Sequence, residues 1–387
     1  MTTEAVFTYL PQERVISGVP AARAVAEEVA RRKAERVFIL ASRSLADKSP
    51  VVRSVEEELG TRVVGRFTDC VAHTPRDSVI AAAAAVRESG ADLIVTLGGG
   101  TPIDTGKILQ ICLAHDITTI EGLDHYHIRV DADGQRFVPT VGKSQVRQIV
   151  VPTTLSGAEF SALGGSTDPR TGAKHSFYGA EICAAAVILD PAATLYTPES
   201  LWLSSGIRAV DHAVEALCGV APSPMTDALA AQALEILIPA LHATRRDPQD
   251  LEARQQCQHG AWLAGSNINR VSFGASHGIG HVLGGLAGVP HGITSCVMLP
   301  SVMRWNAAHV AGPLAGLARR LGTSDPAAVV AELIAALGLP TRVRDTEVRE
   351  DQLETAARLA MDNLWVRTNP RPIRSPEDVM EILRLAW

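Results

Sequence analysis

The sequence lacks an excess of basic charge. It holds 36 lysines and arginines against 42 aspartates and glutamates, a formal net charge of −6, with no lysine–arginine cluster. That balance argues against a nucleic acid or an anionic membrane surface as partner. No apolar stretch is long enough to span a bilayer. The opening Met1-Thr2-Thr3-Glu4-Ala5 has neither a basic start nor a long apolar run, so no signal peptide is expected. The six cysteines (Cys70, Cys112, Cys183, Cys218, Cys257 and Cys296) include no Cys-x-x-Cys pair. They read as buried free thiols in a reducing cytoplasm, not as a disulfide frame or a zinc site. Repeats and low-complexity segments are also missing. What is present is ample material for a packed core: 387 residues, 46% hydrophobic and 20% charged, enough for one large or two ordinary domains.

Residues 5–16 read as an opening hairpin or edge strand, and 20–34, 49–60 and 77–89 as helices. Short apolar runs at 36–41, 62–67, 92–97, 148–151 and 184–189 read as strands. This alternation indicates a mostly parallel sheet with helices on both faces. Residues 115–146 read as an irregular surface loop with a hairpin turn at Asp133-Gly134. Its His115, His125 and His127 have no steady spacing, and no metal site is expected there. Beyond Tyr196-Thr197-Pro198 the pattern changes to long helical periodicity. Helices are expected at 199–218, 224–245, 249–267, 274–288, 293–309, 312–321, 325–337, 350–362 and 376–386, with Asp325-Pro326 and Ser375-Pro376 as starts. The expected organisation is an α/β dinucleotide-binding domain over 1–197 and an all-helical catalytic domain over 198–387. The active site is expected in the cleft between them.

The strand at 92–97 runs into Gly98-Gly99-Gly100-Thr101-Pro102-Ile103-Asp104-Thr105-Gly106-Lys107. Three glycines between a strand and a helix permit a tight turn. Their bare backbone N–H groups can cradle a diphosphate at the helix N-terminus. The loop is not the Gly-x-Gly-x-x-Gly fingerprint. Asp104 and Lys107, one turn into the helix, are expected to steady the loop or the ribose. The strand at 148–151 ends in Pro152-Thr153-Thr154. Hydroxyls at the end of a parallel strand suit hydrogen bonds to a cofactor lying beyond the strand ends.

Residues 274–298 hold three histidines, His277, His281 and His291. His277 and His281, four apart, share one helix face. The small residues around them (Gly278, Gly280, Gly284, Gly285 and Gly288) let another backbone or a flat ligand come close, and Pro290 stiffens the approach to His291. This segment, with Pro-His-Gly at 290–292 and Met298-Leu299-Pro300 beyond, resembles the iron-type (group III) alcohol dehydrogenases. That family includes lactaldehyde reductases, butanol dehydrogenases and maleylacetate reductases. The 98–107 loop resembles the same family's Gly-Gly-Gly-Ser-x-x-Asp-x-x-Lys.

The resemblance implies a dehydroquinate synthase-like fold and an NAD(P)H-dependent oxidoreductase, commonly a homodimer. It places the cofactor on Ser42, Arg43, His73, Gly98, Gly99, Gly100, Thr101, Asp104, Thr153, Thr154 and Leu189. Ser42 stands where NAD-specific members carry an aspartate, so NADPH is expected to be accepted, with Arg43 available to its phosphate. His73 and the short spacing from Thr154 to Glu159 resemble the maleylacetate reductases. The family's metal, iron or zinc, is held by an aspartate and three histidines. His212, His277 and His291 stand at the histidine positions, and His281 at that of the histidine near the nicotinamide. At the aspartate position this chain has Arg208. A permanently charged guanidinium there removes an oxygen ligand and opposes a cation. Asp211, about 100° around the helix from His212, does not simply replace it. The expected reaction is therefore a metal-free hydride transfer to an anionic oxo or enoyl substrate. Arg208, His212, His277, His281 and His291 line the pocket, and Lys174 is a further cation candidate. A metal-dependent alcohol dehydrogenase or aldehyde reductase is the alternative. A catalytically dead nucleotide-binding scaffold is a third reading, against which the retained His281 speaks.

Overall fold

The computed structural model describes residues 8–130 and 136–387. These fall into two compact units, one spanning Tyr9–Thr197 and the other containing Pro198–Trp387. None of the described helices is long and apolar enough to cross a membrane.

The first unit opens with β1 (Arg14–Ser17), α1 (Ala21–Arg32), β2 (Val37–Ala41), α2 (Arg43–Lys48) and α3 (Val51–Leu59). It continues with β3 (Val63–Phe67), α4 (Arg76–Ser89), β4 (Leu93–Gly98) and α5 (Gly100–Ala114). Then come β5 (Arg129–Val130), β6 (Arg136–Phe137), β7 (Arg147–Pro152), β8 (Leu163–Thr167), β9 (Lys174–Tyr178) and β10 (Ala186–Leu189). Six strands form one sheet in the order β1-β10-β7-β4-β2-β3, every pairing parallel. A strand's side chains alternate between faces, and β2 shows the consequence. Val37, Ile39 and Ala41 join α1 and α3 in one core, while Phe38 and Leu40 join α4 and α5 in the other. Both faces are covered, which is why the strands read as unbroken apolar runs.

Three features depart from the sequence reading. Residues 43–48 form α2, and 163–178 form the antiparallel β8–β9 hairpin. The 115–146 stretch is not all surface, since Ile117 and Leu123 are buried in the core beside α4 and α5. Its β5 and β6 pair antiparallel, while the expected turn at Asp133-Gly134 and residues 5–7 of the expected opening strand lie outside the described residues.

The second unit is helical: α6 (Glu199–Leu217), α7 (Pro224–Arg246), α8 (Leu251–Gly265), α9 (Ala275–Ala287) and α10 (His291–Asn306). It closes with α11 (Ala311–Leu321), α12 (Pro326–Ala336), α13 (Leu353–Ala360), α14 (Leu364–Arg367) and α15 (Pro376–Ala386). Caps set several starts. Asp325 accepts the Ala328 N–H at 3.0 Å ahead of α12, and Ser223 forms a capping box with Thr226 ahead of α7. The one-turn α14 is too short to show in the hydrophobic periodicity.

Candidate active site

Helix α6 is the spine of the helical unit. Every residue from Trp202 to Ala216 is buried, so its polar side chains must find partners inside the protein. Arg208, Asp211, His212 and Glu215 fall at i, i+3, i+4 and i+7, along one face. Two helices meet that face. A Cβ at Gly292 of α10 would lie 2.7 Å from the Ser204 carbonyl, and one at Gly280 of α9 would lie 2.9 Å from Thr294 Oγ1. The small residues thus permit the close approach expected of them. Helix α9 ends in the left-handed Gly288 (φ 72°), and Pro290 precedes α10, so His291 becomes its first residue.

Glu215 sits at the start of α9. Its carboxylate accepts the N–H groups of Gly274 (2.9 Å), Ser276 (2.9 Å) and His277 (3.4 Å). These are donors that a helix start leaves without intrahelical partners. The same carboxylate lies 2.7 Å from His277 Nδ1. A bond of that kind fixes Nδ1 as the protonated nitrogen and leaves Nε2 as an acceptor. His277 Nε2 and His212 Nδ1 are buried without a hydrogen-bond partner among the described residues. Burial holds both imidazoles well below the usual histidine range, with His277 and then Arg208 adding to the effect on His212, and Arg208 to that on His277. Both are neutral.

Asp211 accepts the hydroxyls of Ser295 (2.6 Å) and Ser276 (2.9 Å) on one oxygen. Arg208 donates to Ser295 Oγ at 3.1 Å, lies 3.7 Å from Asp211 and approaches His281 Nε2 at 3.5 Å. Burial pushes Asp211 up to about 8, helped by the charge of Glu215, while Arg208 and the two hydroxyls pull it down. Glu215 is raised too, by burial first. Both carboxyls share the buried cluster with one guanidinium, which pulls each of them down against burial. Burial lowers the Arg208 pKa, but a guanidinium stays charged. Its side chain keeps 10% exposure, against 6% for Glu215 and none for Asp211 and His277.

Aromatic contacts join the histidines. The rings of His212 and His277 are 4.9 Å apart, and so are those of His281 and His291. Trp365 touches both pairs, 5.6 Å from His277 and 4.4 Å from His281, and Phe273 stacks on His277 at 4.2 Å. The structure therefore brings Arg208, His212, His277, His281 and His291 into one cluster. It adds Glu215, Ser276, Ser295, Phe273 and Trp365, which sequence reasoning missed, and Asp211, which was weighed there only as a replacement metal ligand. Asp211 is three residues from Arg208, and that spacing on a helix was the available signal. Trp365 gave none.

The glycine loop belongs to the α/β unit. Gly98 ends β4 with φ 141°, and Gly99 precedes the first turn of α5. A Cβ on Gly99 would sit 2.8 Å from Thr154 Cγ2, and one on Gly98 2.8 Å from Pro102 Cγ. The loop therefore presents backbone alone. The Thr153 N–H donates to the Gly98 carbonyl at 3.0 Å, which ties the end of β7 to the loop. Ser42 and Leu189 stand at the ends of β2 and β10, so these residues gather at the C-terminal edge of the sheet. Asp104 accepts the Gly165 N–H at 3.0 Å and pairs with the fully buried Lys107 at 3.2 Å. It steadies the β8 strand. His73 (φ 63°) is exposed, and its carbonyl accepts the Thr167 hydroxyl at 3.1 Å. Lys174 lies over Gly165, in this same unit. Arg43 is paired with Asp69.

Both units are similar to known proteins. Residues 11–191 match the family description "Iron-containing alcohol dehydrogenase", and residues 202–387 match "Fe-containing alcohol dehydrogenase family, C-terminal". The chain is 34% identical to "Dehydrogenase ALT3" of Alternaria alternata, over 91% of this chain and 98% of that protein. It is 30% identical to a maleylacetate reductase of Sphingobium indicum, over 98% of this chain and 97% of that one. Among solved structures, a maleylacetate reductase from Agrobacterium tumefaciens superimposes with a TM-score of 0.84 at 29% identity, covering 100% of this chain and 99% of that one. With both units matched and relatives of this similarity along its length, the chain belongs to the iron-containing alcohol dehydrogenase family and is an oxidoreductase.

Proposed function

We propose that the chain is an NAD(P)H-dependent reductase of anionic oxo or enoyl substrates that works without a bound metal. Arg208 holds the substrate's carboxylate or oxyanion. The observation that carries this reading is the placement of Arg208: a nearly buried guanidinium, fixed by Ser295 and backed by Asp211, beside the half-buried His281. Such a cation gives charge-assisted hydrogen bonds to an oxyanion. The relatives named maleylacetate reductase support the substrate class, since maleylacetate is a dicarboxylate.

Two donor sets bear on the metal that the family name implies. His212, His277 and His291 have Arg208 where a carboxylate ligand would complete them, and a fixed cation opposes a metal ion. Ligand atoms of Asp211, Glu215 and His277 lie within 4.8 Å of one another. Glu215 already holds the start of α9 and the His277 Nδ1–H, and Asp211 Oδ2 takes two serine hydroxyls, while Asp211 Oδ1 and His277 Nε2 have no partner among the described residues. The guanidinium of Arg208, 3.7 Å from Asp211, is the feature that weighs against a metal ion at either set.

Bound NAD(P)H would supply the hydride, its diphosphate on the bare backbone of Gly98–Gly100 and the start of α5. Arg208 binds and orients the anion and stabilises negative charge as it develops. His281, half-buried with Nε2 facing the guanidinium, is the group placed to move the proton at the reacting oxygen. A metal-dependent alcohol dehydrogenase is favoured by one observation, the unpartnered His277 Nε2 with Nδ1 fixed by a carboxylate, as in metal-ligating imidazoles.

The test is NADH and NADPH oxidation against paired carbonyl substrates with and without a carboxylate. Wild type should prefer the carboxylated member. Arg208→Ala should lower catalytic efficiency on it by roughly 30-fold or more and leave nucleotide binding unchanged. Equal loss on charged and uncharged substrates would contradict the anchoring role.

A further inference from the structure

The Arg43–Asp69 pair lies at the sheet edge that carries the glycine loop. β2 is the neighbour of β4, and Ser42 follows β2 directly. A Cβ at Gly98 would meet Ser42 Oγ at 3.4 Å and Ser42 N at 3.6 Å. In a parallel nucleotide-binding sheet, the end of the strand beside the glycine loop is where the adenosine ribose is read. Asp69 reaches this point from β3. Its backbone bridges Ser42, its carbonyl accepts the Ser78 hydroxyl at 2.7 Å, and its carboxylate takes Arg43. Asp47 is a second acid acting on Arg43.

Ser42 and Arg43 by themselves favour a 2′-phosphate. The surrounding charges reverse that balance, because one arginine stands among two carboxylates. A phosphate monoester brings about −1.5 to −2 charges and would compete with Asp69 for Arg43. We propose that Asp69 is a specificity-determining residue: by occupying Arg43 and adding its own negative charge, it makes the site favour NADH over NADPH. This rests on the nucleotide reading above. The pair is open to solvent, with 67% of the Arg43 and 58% of the Asp69 side chain exposed. Such a pair contributes little to folding, so its removal leaves a folded protein whose specificity can be read.

The experiment is fluorescence titration of the full chain with NADH and with NADPH. Wild type should bind NADH more tightly. In Asp69→Asn the NADPH to NADH affinity ratio should rise at least about fivefold, as expected when a like-charge contact is removed. Adding Arg43→Ala to that variant should cancel the gain. Arg43→Ala alone should move the ratio less than about twofold, because the arginine is already committed. An unchanged ratio in Asp69→Asn, or a wild type that prefers NADPH, would overturn the assignment while leaving nucleotide binding intact. Failure of wild type to bind either nucleotide would overturn the nucleotide reading along with it.

Discussion

The glycine loop and the Arg208 cluster solve opposite problems. The three glycines at 98–100 work by having no side chains, and Pro102, Thr154 and Ser156 stand where a Cβ would go. The cluster works by side chains, those of α6 buried and made tolerable by partners far along the chain. Asp211 meets Ser276 and Ser295, 65 and 84 residues away. The first kind of site is built from consecutive residues, whereas the second exists only after three helices have packed.

That difference decided what was legible beforehand. The strands could be read because both faces of the sheet are covered, and the glycine loop because spacing is its whole content. The histidines of α9 and α10 and the exchange at Arg208 were visible for the same reason. The exchange looked like a bare cation among metal ligands. The spacing set Asp211 beside Arg208 on the helix, but its hydroxyl partners Ser276 and Ser295 lie 65 and 84 residues away and are supplied only by packing. The β8–β9 hairpin escaped because Leu163-Gly164-Gly165-Ser166-Thr167 lacks the alternation that marks a half-buried strand.

The comparison breaks most forcefully at Asp211. Asp211→Ala strands the buried Arg208 and leaves two serine hydroxyls without their acceptor. The expected loss is about 3–5 kcal/mol of folding stability, read by urea unfolding. A loss below about 1 kcal/mol would mean that Asp211 does not compensate the guanidinium. The loop should respond differently. Gly99→Val meets Thr154 and covers the backbone, so the nucleotide dissociation constant should rise at least about tenfold, 1.4 kcal/mol, with fold retained. Unchanged affinity in a folded variant would remove the loop from the cofactor site.

A smaller effect sharpens the contrast from the α/β unit's own buried acid. Glu159 is pushed up to about 7, chiefly by burial, with Lys107 pulling it down, and its Oε2 has no partner among the described residues. Its ordinary value is 4.5. Between these values the unfolded chain releases a proton that the folded chain keeps, so stability falls as pH rises through that window and levels off above it. In Glu159→Gln this fall should be missing from urea midpoints measured across the same range. Parallel wild-type and variant curves would show that Glu159 does not carry the shift.

The most direct test of the central claim is metal content measured alongside activity. Wild type purified without chelator should hold no stoichiometric iron or zinc and keep its full rate after stripping. Arg208→Asp, with an acid placed beside His212, His277 and His291, should gain metal binding and lose the native activity. Full-occupancy metal in wild type, with activity lost on its removal, would contradict the account and establish the metal-dependent dehydrogenase instead.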